Sequence, residues 1–185
     1  ECSGKALPGL EIAVRDPETG DTLAPGERGE IVVRGGGVWS GDYNDPEKTA
    51  AAFWEDRWFR TGDLGVSDTE GRITFHGRLK DMLKVGGENV AAIEVEGYLA
   101  LHPAVKMAQV VGIADEKYGE VPVAFVELAP EATSSEREII DFCRGEIASF
   151  KIPRHVRFVR DWPMGATKSL KHVLRDQINA ELNLD

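Results

Sequence analysis

The stretch "GRLKDMLKVGGENV", residues 77–90, decides how the chain divides. It holds one arginine, two lysines, two acids and a Gly-Gly pair, near the middle of the chain. Three readings compete: a phosphate-cradling loop, a surface turn, or a joint between two bodies. The first fails on spacing. A P-loop, G-x-x-x-x-G-K-[ST], sets its glycines ahead of a lysine and opens a helix after a strand. Here Lys84 precedes Gly86 and Gly87. No G-x-G-x-x-G follows a strand pattern either. The turn and the joint both remain.

The texture differs on the two sides of this stretch. Upstream, "LEIAVRD" (10–16) and "GEIVVRG" (29–35) alternate apolar and polar residues, as half-buried strands do. "DPETGD" and "APGERG" between them carry turn chemistry. "LGVSDTEGRITFHG" (64–77) reads as a hairpin turning at "DTEG", and "PEKTAAAF" (46–53) as a short helix opened by Pro46. "RGGGVWSG" (34–41) is glycine-rich but lacks dinucleotide spacing, and reads as a loop.

Downstream, helix and strand mix. "NVAAIEVEGYLALHP" (89–103) predicts a helix ending before Pro103. "KMAQVVGI" (106–113), "VPVAFVEL" (121–128) and "HVRFV" (155–159) are apolar runs of strand length. "SEREIIDFCRGEIASF" (135–150) predicts an amphipathic helix with Ile139, Phe142, Cys143, Ile147 and Phe150 on one stripe, and Ser135 with Glu138 as its capping box. "SLKHVLRDQINAEL" (169–182) predicts a last helix. Strands followed by a mixed region suggest two bodies meeting near residues 78–81.

Composition narrows the class. The chain has 185 residues, 42% hydrophobic and 29% charged, which fits a water-soluble globular protein. No apolar run approaches the roughly 20 residues that span a bilayer, and no charged-then-apolar leader marks export. A reducing compartment, the cytoplasm, is the expectation. Cys2 and Cys143 stand far apart without a C-x-x-C, and His76, His102, His155 and His172 never pair at ligand spacing. Neither a disulfide framework nor a metal site is expected. No G-x-S-x-G marks a serine hydrolase.

A formal net charge of −10 argues against a general nucleic-acid binder, which needs a basic face. The charge is uneven: residues 151–175 hold seven Lys or Arg against Asp161 alone. Such a run is either a solvated face balancing acid elsewhere or an anion site.

Six segments then carry a resemblance: "GDYNDPEKTAAAF" (41–53), "WFRTGDLG" (58–65), "GRLKDMLKVGGENV" (77–90), "EVEGYLALHPAV" (94–105), "DEKYGEVPVAFV" (115–126) and "PMGATKSLK" (163–171). In this order the chain resembles the C-terminal part of the adenylate-forming superfamily, and the acyl-CoA synthetases within it. The resemblance covers essentially the whole chain, and "TGDLG" with "GRLKDMLKVGG" at this spacing is its most specific part. It implies an α+β fold. Residues 1–78 would be the β-barrel-like end of a large AMP-binding domain, and 79–185 a small C-terminal lid domain with a short central sheet. Family members are much longer, with their phosphate loop and acyl pocket upstream, so the fragment alone is expected to be inactive.

The resemblance also implies roles. Asp63 resembles the carboxylate that holds the ribose hydroxyls of ATP, a task suited to a group accepting two hydrogen bonds; its plainer role would be to cap a turn. Arg78 resembles an arginine contacting the nucleotide, and Lys80 the hinge of lid rotation. Lys84, Gly86 and Gly87 resemble the loop that reaches the active site in the second pose, Lys84 toward ATP or AMP and the glycines along the pantetheine arm of coenzyme A. Lys168 resembles the catalytic, ATP-binding lysine of adenylation, with Lys171 as its alternative. Thr167 stands where the family often has glycine. The implied substrates are a carboxylic acid (a fatty or aryl acid), ATP with Mg2+, and coenzyme A. A homodimer is one expectation for the assembly. Two alternatives stay open: an adenylating enzyme that loads a carrier protein, and an isolated, non-catalytic lid acting as a binding module.

Overall fold

The alternating segments of the first half become a meander. β1 (Leu10–Arg15), β2 (Arg28–Gly35), β3 (Phe59–Ser67) and β4 (Ile73–Arg78) form one antiparallel sheet in sequence order. The computed structural model describes residues 2–165 and 170–182. It divides the chain into two compact units, Glu1–Lys80 and Asp81–Asp185.

In the first unit Val14, Val32, Trp58, Leu64 and Ile73 are buried. Helix α1 (Pro46–Ala51) begins as its sequence requires: Pro46 opens it, and the Asp45 carboxylate accepts the Lys48 N–H at 2.9 Å. Gly4 bridges Ile73, so the segment before β1 returns to the β4 edge. This gives the sheet a barrel-like turn without closing it.

The second unit opens on the decisive stretch. A 3-10 turn at Leu79–Asp81 leads into β5 (Met82–Val85), which pairs antiparallel with β6 (Glu88–Ala91) across Gly86–Gly87. Both glycines have positive φ, 60° and 89°. That is the two-residue hairpin whose twist matches its strands. Residues 89–91 therefore leave the helix expected over 89–103, and α2 covers Ala92–Leu99. The Gly-Gly turn folds Val90 and Ala91 back onto Leu83 and Met82, and a strand's ladder replaces the helical period.

Strand β7 (Val105–Asp115) and β8 (Gly119–Leu128) form a long antiparallel pair. Strand β9 (His155–Phe158) lies parallel to β8, and β5 touches the start of β8 at Val85–Gly119. Helix α3 (Glu136–Cys143) carries the expected capping box. It stops seven residues short of Phe150: Arg144 takes extended backbone and Gly145 positive φ. Ile147, bridged to Arg144, and Phe150, in a short 3-10 helix, still pack on the core from outside α3. Helix α4 (Lys171–Leu182) buries Leu174 and Ile178.

The sheet is covered on both faces, which is why β8 reads as a continuous apolar run. Ala124 and Val126 face Val95, Leu99, Ile139 and Cys143 on one side. Val121, Val123 and Phe125 face Leu174 and Ile178 on the other. Most of the basic run is neutralised locally. Arg157 pairs with Glu181 and Glu136, Lys151 with Glu94, Lys171 with Glu96, and Arg154 with Asp115.

Candidate active site

Asp63 sits inside β3 directly opposite Arg78 of β4. Arg78 Nε lies 2.8 Å from Asp63 Oδ1, with the side chains 47% and 28% exposed. The contact is an ion pair by distance, but the N–H is not well aimed: Oδ1 is shielded and accepts no hydrogen bond of good geometry. A carboxylate on an inner strand thus stands beside a guanidinium, both partly open to solvent. The first can accept from a vicinal diol and the second can donate to an anionic oxygen.

The backbone before Asp63 is irregular. Register runs Ile31↔Asp63 and then Val32↔Arg60, so Thr61 and Gly62 form a two-residue bulge. Gly62 takes φ 70°, a conformation that favours glycine. Thr61 Oγ1 donates to the Ile31 carbonyl at 2.6 Å and accepts the Asp63 N–H at 3.0 Å. Glu30, 1% exposed, accepts the Gly62 N–H at 3.0 Å and Arg60 Nε at 3.1 Å. Sequence reading passed over Glu30, Arg60 and Thr61. The available signal was an acid inside an otherwise apolar strand, "GEIVV".

Lys80 is the last residue of the first unit, inside the 3-10 turn. Lys84 has an exposed side chain, while its main-chain N–H donates to Glu120 Oε2 at 2.7 Å. Gly86 N–H donates to the Tyr118 carbonyl at 2.7 Å, fixing the hairpin tip to the β7–β8 turn. Beside that tip lies a cavity of about 520 Å³, whose lining includes Tyr118, Arg144, Phe150, Ile152 and Arg154. Arg154 also stacks over Tyr118 at 5.6 Å. The cavity is apolar with two guanidinium groups, and nothing in the sequence pattern gathered these residues.

Lys168 lies outside the described residues. Its flanks are fastened: Leu170 N–H donates to the Pro163 carbonyl at 2.7 Å, and Trp162 Nε1 donates to Glu127 Oε2 at 2.7 Å. Lys171 ion-pairs with Glu96 at 2.6 Å. Among the described residues no three His, Cys, Asp or Glu side chains are placed to hold a metal ion, and no helix is long and apolar enough to cross a membrane.

The model of the AMP-binding enzyme C-terminal domain matches residues 94–179. The chain carries this family's C-terminal domain. Around that domain, the rat medium-chain acyl-CoA ligase ACSF2, mitochondrial, is 39% identical over 98% of this chain and 30% of its own length. ATP-bound MatB from Rhodopseudomonas palustris matches with TM-score 0.88 and 38% identity, over 95% of this chain and 35% of its own. The amide bond synthetase McbA from Marinactinospora thermotolerans matches with TM-score 0.86 and 36% identity, over 96% and 36%. The chain spans about a third of the length of the curated relatives it matches.

Proposed function

We propose that the chain is the C-terminal portion of an AMP-forming acyl-CoA synthetase. Residues 1–78 would close the nucleotide site of a large domain, and 79–185 would be the lid. A carboxylate attacks the α-phosphorus of MgATP, giving acyl-AMP and pyrophosphate. A thiolate then attacks the acyl carbon, forming the thioester and releasing AMP. Asp63 holds the ribose hydroxyls and Arg78 a neighbouring anionic oxygen. Lys168, by resemblance, carries positive charge to the α-phosphate during the first step. Positioning and charge stabilisation supply most of such catalysis.

The observation that carries this reading is the placement of Asp63, within "TGDLG", opposite Arg78 in the β3–β4 ladder. Coenzyme A as acceptor is supported by the open hairpin tip at Gly86–Gly87 and the arginine-bearing cavity beside it. Lys84 on the same hairpin would reach the nucleotide, and rotation at Lys80 would exchange the two poses. The likeness to an amide bond synthetase favours a second reading, in which adenylation is kept and the acceptor is not coenzyme A.

The test uses the full-length protein. ATP–pyrophosphate exchange with a panel of carboxylic acids should appear, and Asp63→Ala should raise the KM for ATP. Lys168→Ala should depress exchange on the order of 100-fold or more, as loss of a preorganised charge stabiliser does. Thioester formation from supplied acyl-AMP and coenzyme A separates the two acceptor readings. No exchange with any acid would remove the proposal.

A further inference from the structure

Glu30 is the one buried charged side chain among the described residues. Burying a carboxylate is costly unless every oxygen is matched. Both of its oxygens are matched, and both point at one place. Oε1 accepts the Gly62 N–H and Oε2 accepts Arg60 Nε, the residues on either side of Thr61. Arg60 is itself held, donating to the Pro17 carbonyl at 3.1 Å and lying over the Trp54 ring at 4.4 Å. In an unbulged ladder that kept Val32↔Arg60, residue 61 would face Ile31 and Asp63 would slide two places along β2. The observed register sets Asp63 against Ile31 on one side and Arg78 on the other.

We propose that Glu30 is a positioning residue: its buried carboxylate holds the Thr61–Gly62 bulge in the form that sets Asp63 against Ile31 of β2, with Arg78 of β4 on its other side. A regular strand satisfies its N–H groups from the neighbouring backbone, and a bulge leaves some unmatched. Gly62 is such a case, and Glu30 supplies the acceptor. The effect on catalysis rests on reading Asp63 as the nucleotide carboxylate; the effect on the bulge does not.

The test compares Glu30→Met, which keeps volume but removes both acceptors, with Glu30→Gln, which keeps an oxygen for Gly62. In pyrophosphate exchange by the full-length protein, E30M should raise the KM for ATP about tenfold, the scale of one lost buried hydrogen bond. The KM for the carboxylic acid should change less, and E30Q should recover most of the loss. A merely structural role would lower Tm in both variants and leave the KM for ATP unmoved.

Asp63→Ala is the control. If D63A raises the KM for ATP and E30M leaves it within twofold, the proposal is overturned. If D63A itself has no effect, the nucleotide reading fails and amide exchange on the 185-residue chain decides the bulge. There E30M should speed exchange at Gly62 at least tenfold more than at Val32, and equal rates overturn the proposal. If E30M does not fold, Thr61→Val, which removes the Oγ1 bonded to Ile31 and Asp63, carries the same measurements.

Discussion

Lys171 Nζ lies 2.6 Å from Glu96 Oε1, and that same oxygen accepts the Val110 N–H at 2.8 Å. One carboxylate oxygen therefore ties the first turn of α4 to α2 and to β7. Lys171, read from sequence as an alternative to Lys168, is a fastening with 21% of its side chain exposed.

Removing either partner should destabilise the second unit unequally. Lys171→Ala leaves Glu96 with Val110 as its remaining hydrogen-bond donor, and should cost about 1–2 kcal/mol given its partial exposure. Glu96→Ala strips the acceptor from a main-chain N–H as well, and should cost about 2–3 kcal/mol. Urea unfolding of the chain measures both, and a smaller loss for E96A than for K171A would contradict the shared-oxygen account.

The two cysteines should differ sharply in reactivity. Cys2 is exposed and Cys143 is buried, and burial pushes the Cys143 thiol up to about 11. The thiolate is the reactive form. Titration with a chromogenic disulfide at pH 8 should count one fast thiol in the native chain and two in denaturant. Two fast native thiols would mean that the end of α3 does not hold Cys143 in the core.

Acid should unfold the second unit through carboxylates held below their ordinary values. Glu127 is lowered from 4.5, first by its hydrogen bond from Lys106 and then by the one from Trp162. Glu181 is lowered chiefly by Arg157. A carboxylate with a depressed folded pKa stabilises fully above its unfolded value, and that contribution fades as pH falls through the folded one. Stability should therefore decline as pH drops below about 4.5. Glu127→Gln should make the decline shallower. Trp162 fluorescence should follow Glu127 protonation in the parent chain, and a transition of the same midpoint in E127Q would refute the link.

Strands β1 and β2 were legible because each alternates apolar and polar residues, and β7, β8 and β9 because each is an apolar run of strand length. The capping box of Ser135 and Glu138 was legible because it is local. Residues 89–91 were misread because Asn-Val-Ala has no strong preference, and the pairing with Met82 and Leu83 arrives only once the Gly-Gly turn closes. Helix α3 was overextended because Ile147 and Phe150 keep the helical spacing of a stripe while reaching the same core from a bridge and a separate 3-10 helix. Asp63 and Arg78 could be named from motifs, but their opposition follows a register shift between Leu64 and Gly65, and the place of Asp63 against β2 follows a two-residue bulge. That bulge depends in turn on Glu30, thirty-odd residues earlier, and such a long-range polar contact leaves no periodic trace.

Gly86 and Gly87 make a last, two-part prediction. Both have positive φ, and an L-residue there pays roughly 1–2 kcal/mol of backbone strain. A Cβ on Gly87 meets nothing within 4 Å, while one on Gly86 comes 3.3 Å from Tyr118 Cδ1. Gly87→Ala therefore tests backbone alone and should cost about 1 kcal/mol in urea unfolding. Gly86→Ala should cost more, because the Tyr118 ring must also give way. In the full-length protein, Gly87→Leu should spare adenylation and slow thioester formation. Its side chain would occupy the open space at the hairpin tip, where the proposed pantetheine arm passes only in the second half-reaction. Pyrophosphate exchange and thioester formation from supplied acyl-AMP, measured separately, give the two rates. Equal losses in both would sink the assignment of this hairpin to the thiol step, leaving Gly86–Gly87 as a turn required by the ladder between β5 and β6.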